Sequence, residues 1–340
     1  MERSQSYWIN NKQMKRLLTL GFVAVLFSGQ AQQVPQYSQF LRNQFMVNQG
    51  AAGLYDFVDV TVGGRMQWLG FDDAPKTSYL YISSPLTKKP RTIYNPSLRV
   101  SNGPVRNPEI KVGKLKHALG GQFVADQYGA FRTLKAAVTY AVHVPLSREY
   151  NLSFGTSLGI NNRSFLRDKA QTLNMLTGAA YTDNTYENFT ANAASQNTMD
   201  LGAGLYFYSD KMFIGVSGDQ LTKDFVKFGN KDSNFDPKKH FNATAGIKLP
   251  MGENLSLMPA VLVKYVQSAP ISIDASLQLE YKEWLWCGAS FRNQDAIVGM
   301  LGLNISERFK MGYSYDFNIS RVNSYSSGGH ELVVGLMLGR

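Results

Sequence analysis

The side chains able to do chemistry are few and scattered. His117, His143, His240 and His330 sit in four separate stretches, and none stands at metal-ligand spacing from a second ligand. A structural zinc site needs four Cys or His ligands, usually in short paired spacings. The histidines therefore read as polar wall residues, and neither metal nor cofactor is expected. Cys287 is the sole cysteine, which excludes a disulfide framework; it alternates with Trp286 as a small wall residue would. No motif sets a serine beside a base, so no catalytic residue is assigned and an enzyme is not expected. Gly63-Gly64, Gly120-Gly121 and Gly202-x-Gly204 fall inside alternating segments, where glycine marks a bend or a close approach rather than a phosphate cradle. The carboxylates Asp274, Glu280 and Asp316 share such segments' polar rows, and Lys248, Lys264 and Lys310 offer partners. The chemistry expected of them is ion pairing that fills and stiffens an interior.

The elements that carry these residues have period two. In 270–281, Ile271, Ile273, Ala275, Leu277, Leu279 and Tyr281 alternate with Ser272, Asp274, Ser276, Gln278 and Glu280. Phe309, Met311, Tyr313, Tyr315 and Phe317 alternate with polar residues in 308–318, and 150–162 and 240–249 repeat the pattern. Successive side chains of a strand point to opposite faces, so each segment has one greasy and one polar side. The segments run longer than the ~5–6 residues common in soluble strands and match the ~9–11 needed to cross a bilayer. Trp68, Tyr265, Tyr281, Trp284, Trp286, Tyr313, Tyr315 and Phe317 crowd segment ends, as interfacial girdles do.

Fourteen such segments can be placed: 57–67, 77–87, 116–126, 131–144, 150–162, 199–208, 211–218, 240–249, 254–266, 270–281, 284–292, 295–305, 308–318 and 330–338. Brief turns follow the fourth, sixth, eighth, tenth and twelfth. Long polar loops, 163–198, 219–239 and 319–329, follow the fifth, seventh and thirteenth. Outer-membrane barrels segregate connections in this way, with short turns in the periplasm. The fold class expected is all-β, an antiparallel outer-membrane barrel over 57–340 with both termini periplasmic.

Composition agrees. Charged residues make up 18%, below the ~25% of soluble domains, and no apolar run approaches a membrane helix. Lys15 and Arg16 precede an apolar core, Leu17 to Phe27, with small residues Gly29 and Ala31 after it. That is a secretory signal over 1–31, with 1–13 an over-extended start before Met14. Residues 32–56 form a periplasmic N-terminal segment that either fills the lumen as a plug or lies along its rim.

The formal net charge is +10, and much of it sits in one connection. Lys88, Lys89, Arg91, Arg99, Arg106, Lys111, Lys114 and Lys116 face only Glu109 there, among four prolines. Beyond a signal peptide no nucleic-acid partner is expected. The cluster either meets water and anionic lipid or docks an acidic periplasmic partner. Tyr181, Tyr186 and Phe189 in one long loop, and Phe225, Phe228 and Phe235 in another, are candidate partner-binding aromatics, since rigid rings give contact area at low entropy cost.

Several sequence blocks carry a family resemblance: Gln33-Val34-Pro35-Gln36-Tyr37-Ser38-Gln39, Gln67-Trp68-Leu69-Gly70, Ala74-Pro75-Lys76-Thr77, Gly312-Tyr313-Ser314-Tyr315-Asp316 and Ser327-Gly328-Gly329-His330-Glu331. In this order the chain resembles the PorP/SprF family of type IX secretion system membrane proteins. Where the family usually has Asn-Pro-Ala-x-Ala-Gly, this chain has Asn48-Gln49-Gly50-Ala51-Ala52-Gly53. The resemblance implies an outer-membrane barrel of Bacteroidota. It also implies partnership with an exported cargo bearing a type B C-terminal domain, such as a gliding adhesin, which the barrel anchors at the surface or helps export. Alternatives are a structural part of the machine touching its periplasmic ring, and a diffusion channel.

Overall fold

A strand that crosses hydrocarbon must bond all its backbone groups to neighbouring strands, and only a closed sheet achieves this at both edges. The computed structural model describes residues 35–86, 112–170, 195–222, 238–267, 269–282 and 284–339, with 175, 177, 178, 184, 186, 187, 190, 227 and 228 in the longer loops. Among them stand fourteen long strands. They are β1 (Val58–Met66), β2 (Lys76–Pro85), β3 (Lys116–Tyr128), β4 (Phe131–Pro145), β5 (Asn151–Phe165), β6 (Ser195–Tyr208) and β7 (Met212–Asp219). There follow β8 (His240–Ile247), β9 (Leu255–Val266), β10 (Ser272–Tyr281), β11 (Leu285–Arg292), β12 (Ala296–Asn304), β13 (Phe309–Asn318) and β14 (Gly329–Leu338). Each pairs antiparallel with its neighbour in sequence, and β1 pairs with β14 from Val58↔Leu338 to Met66↔His330, which closes the barrel.

The two faces divide as the alternation requires. Ile271, Ile273, Leu277 and Tyr281 are exposed on the outer wall, while Asp274, Ser276, Gln278 and Glu280 are buried inside. Trp286 departs from the expected girdle. It lies one residue out of phase with Leu285 and Cys287, so it points inward and is 4% exposed.

Two segment ends differ most from the sequence reading. β5 continues to Phe165 and β6 begins at Ser195, so the loop placed at 163–198 is shorter by several residues at both ends. Asn161 to Ser164 pair with Ser195 to Thr198 in a polar hairpin. Both rows of this hairpin are polar, so alternation does not mark it, although Asn161 and Gln196 are buried. The stretch 240–249 is interrupted at Lys248, with Leu249–Pro250 pairing separately to β9.

The strands β4, β6, β10 and β12, each followed by a short connection, end at one mouth, and β5, β7 and β13, each followed by a longer one, end at the other. Val138, at the centre of β4, is 65% exposed on the outer row. Val138→Arg is expected to cost about 2–4 kcal/mol of unfolding free energy in lipid vesicles, the usual penalty for a cation at the bilayer midplane. Urea titration against Val138→Ala measures it, and an unchanged midpoint would place this row away from lipid.

Candidate functional site

The inward row is polar and charged, and the N-terminal segment packs against it. Between Tyr37 and Leu54 this segment is almost wholly buried, with one short helix, α1 (Gln44–Val47), and a 3-10 turn at Gln49–Ala51. Phe40, Leu41, Phe45, Val47 and Leu54 form one apolar cluster with Tyr79, Tyr81, Tyr206, Tyr208 and Leu262 of the wall. Burial of each such plug side chain contributes roughly 1.5–3 kcal/mol. Wall glycines make room where the plug comes closest. A Cβ on Gly312 would lie 2.1 Å from Gln39 Oε1, and one on Gly155 would lie 2.2 Å from the Gln49 carbonyl oxygen.

Ser38 sits at the centre of a buried ionic cluster. Its backbone N–H donates to Glu331 Oε2 at 2.7 Å and its hydroxyl to Asp316 Oδ1 at 2.9 Å. Arg65 donates to the Ser38 hydroxyl oxygen and to both carboxylates, reaching Asp316 at 2.5 Å and Glu331 at 3.2 Å. Arg292 also donates to Ser38 Oγ, at 3.1 Å, and holds Asp274 at 3.1 Å and Asp316 at 3.0 Å. Tyr79 donates to Glu331 and accepts from Asn43. Buried ion pairs roughly break even against their desolvation cost. The apolar contacts therefore supply the plug's hold, and this latch fixes its register. Burial also raises the Tyr37 phenol above its ordinary pKa, so it stays neutral beside Tyr79.

Further contacts tie the rest of the plug. Arg42 pairs with Glu280 at 3.0 Å, which also takes Lys248 at 3.1 Å, and the Arg42 guanidinium lies 4.8 Å above the Trp286 ring. Within the wall itself, Lys310 of β13 pairs with Asp59 of β1 at 2.8 Å. Asn48 Nδ2 donates to the carbonyls of Leu205 and Val216, and Gln49 donates to Asp219 at 2.9 Å. The Ala52 carbonyl accepts from His143, whose other ring nitrogen meets the Tyr208 hydroxyl at 2.8 Å.

The interior pairs differ in detail from those expected. Lys248 does meet Glu280, but Asp274 and Asp316 pair with arginines, and Lys264 makes no ion pair among the described residues. A bidentate planar guanidinium satisfies two carboxylates at once, which an ammonium does less well. Sequence reading passed over Arg65 and Arg292, although both stand on the polar rows of their strands.

Three sequence blocks far apart in the chain meet here. Gln67 donates to the Pro75 carbonyl across a tight loop in which Trp68 (φ 52) and Gly70 (φ 109) are left-handed. Half-buried Ala74 and buried Pro75 lead into Lys76, exposed at the start of β2. Leu69 exchanges backbone bonds with Ser327 and Gly328 of the β13–β14 loop. Below that loop pair stand Asp316 and Glu331, holding Ser38; Pro35 and Gln36 are half-buried just before it.

The other predicted residues are less gathered. Tyr186 packs on Phe165 at 6.3 Å, and the backbone of Lys227–Phe228 pairs with β6. Tyr181, Phe189, Phe225 and Phe235 lie outside the described residues, as do Lys88, Lys89, Arg91, Arg99, Arg106 and Lys111. Lys114 is exposed, and Lys116 opens β3 half-buried. His117 meets Tyr140 and His330 meets Tyr313, both at 2.6 Å. No group of three His, Cys, Asp or Glu able to hold a metal occurs among the described residues.

A closed fourteen-strand barrel with an apolar outer wall and an internally bonded plug defines an outer-membrane β-barrel protein. Its path is similar to that of the toluene transporter TbuX of Ralstonia pickettii, at 11% identity over 86% of this chain and 92% of that one, TM-score 0.49. It is also similar to the outer membrane protein Omp33 of Acinetobacter baumannii, at 10% identity over 84% of this chain and 100% of that one, TM-score 0.44. No curated protein matches the chain significantly. Residues 29–336 match PorP/SprF, the type IX secretion system membrane proteins, and the chain belongs to that family.

Arg65→Met removes the cation shared by Asp316 and Glu331. The expected loss is about 3–5 kcal/mol, the cost of stranding buried charge, measured as the urea midpoint of the purified barrel. Gly312→Val should displace Gln39 and expose the plug to added protease while β1–β14 pairing persists; a plug as protected as the parent's would contradict this packing.

Proposed function

We propose that this barrel anchors an exported protein at the cell surface, or assists its export, by binding a type B C-terminal domain such as that of a gliding adhesin. The long-loop ends of β5, β7 and β13 face outward and β14 ends in the periplasm. Residues 1–31 are the signal, 32–56 the plug and 57–340 the barrel. The observation that carries the reading is the filled interior. A lumen occupied by the chain's own buried side chains offers a rigid anchor with a rim, and little path for diffusion. Membership of a secretion-system family makes an exported polypeptide the natural partner. The rim carries aromatic contact area, with Tyr186 against Phe165 and Phe71 against Tyr325, which is 75% exposed. Rigid rings of this kind suit a protein interface.

The cation-rich connection supports a second role, contact with an acidic component of the periplasmic ring. Changing Lys88, Lys89, Arg91 and Arg106 to Glu is expected to abolish recovery of ring components in pull-downs. Recovery at parental levels would remove that role and leave the anchor untouched. Deleting 171–190 is expected to release the exported partner into the medium while the barrel still assembles. A partner retained at the surface in full would overturn the anchor.

A further inference from the structure

We infer that the plug enters the lumen from the long-loop end, so that its leading residues and the ionic latch around Ser38 are reached from that side of the membrane. The contacts fix the path. Ser38 bonds to Asp316, two residues from the long-loop end of β13 and seven from the other. At ~3.3 Å per residue these are about 7 Å and 23 Å along the strand. Its other partners agree: Arg292 is the last residue of β11 at that end, Arg65 the last but one of β1, and Glu331 the third of β14. Tyr37, just before Ser38, packs on Tyr79, the fourth residue of β2 from the same end.

From Ser38 the chain runs down. Arg42 reaches Glu280 and Trp286, each one residue from the short-turn end of its strand. It rises again, because Gln49 bonds to Asp219, the long-loop end of β7. It then descends past His143, which takes the Ala52 carbonyl, and leaves into β1 at Val58. The two ends of the plug therefore stand at opposite mouths. An even number of strands brings β1 and β14 to one mouth, which led to the expectation that both termini share it; the plug's third pass reverses this for Pro35. Counted along the chain from Pro35, the Tyr37–Tyr79 ring contact and the latch are the first contacts met. A partner there that engages the residues around Pro35 loads Tyr37, Ser38, Arg65 and Arg292 before Phe40, Leu41 and Phe45 beneath them. The contacts fix the path, and that the long-loop side is the cell exterior rests on the orientation proposed above.

The test compares three full-length chains in intact cells, each carrying one inserted site for a sequence-specific, membrane-impermeant protease. The sites lie between Val34 and Pro35, within 319–328 and within 209–211. The first two sites should be cut together and the third protected. A first site that stays intact while 319–328 is cut, or that is cut in company with 209–211, overturns the inference. Should an insertion prevent assembly, Gln36→Cys in a Cys287→Ala chain replaces it, read by an impermeant maleimide against Cys placed in the same two loops. Labelling that follows the 319–328 position supports the inference, and failure to follow it overturns it.

Discussion

Inside a bilayer no water is available to a backbone N–H or carbonyl, and each unpaired one costs several kcal/mol. The pairing of β1 with β14 meets that demand at the only seam where the sheet would otherwise end. Closure has a consequence for the inner row. Side chains that alternate with lipid-facing ones are gathered into a narrow enclosed space, where charges must be paired or solvated. Arg65, Arg292, Asp274, Asp316 and Glu331 are there, all almost completely buried. The N-terminal segment answers both needs by bringing apolar mass to fill the space and polar atoms to complete the ionic set.

The plug's two kinds of contact divide the work. Apolar burial is large and indifferent to direction, so Phe40, Phe45 and Leu54 alone would allow several dockings. The Ser38 cluster allows few, because its hydroxyl and N–H must meet two carboxylates held by two guanidinium groups. The same logic explains the gathering of motif blocks. The Pro-Gln-Tyr-Ser stretch supplies Ser38, the Gly-Tyr-Ser-Tyr-Asp stretch supplies Gly312 and Asp316, and the Gly-Gly-His-Glu stretch supplies Glu331. Gln49 occupies the position where the family usually has proline, at the first residue of a 3-10 turn that proline's fixed φ suits. In this chain its side chain gains a bond to Asp219 instead.

Much of the barrel was legible from alternation, because lipid on one face and an enclosed interior on the other impose a period of two on every spanning residue. The fourteen segments, the short turns and the sides of Ile271 to Tyr281 follow from that one pressure. It fails where both rows are polar: the extensions of β5 beyond Asn162 and of β6 before Met199 carry no pattern and read as loop. Trp286 was misassigned because aromatic residues at strand ends suit both the girdle and the lumen, and only phase separates the two. The plug's path was not legible at all. Its contacts span nearly three hundred residues, as between Ser38 and Glu331, and nothing in the local sequence of 35–57 encodes which strand each residue meets.

The most direct measurement is the conductance of the purified barrel in planar bilayers, before and after Phe40, Phe45 and Leu54, the apolar contacts that hold the plug, are all replaced by alanine. A lumen held shut by its own N-terminal segment predicts no stable current from the parent chain and stepwise openings from the variant. A large steady current from the parent chain, unchanged in the variant, would contradict it.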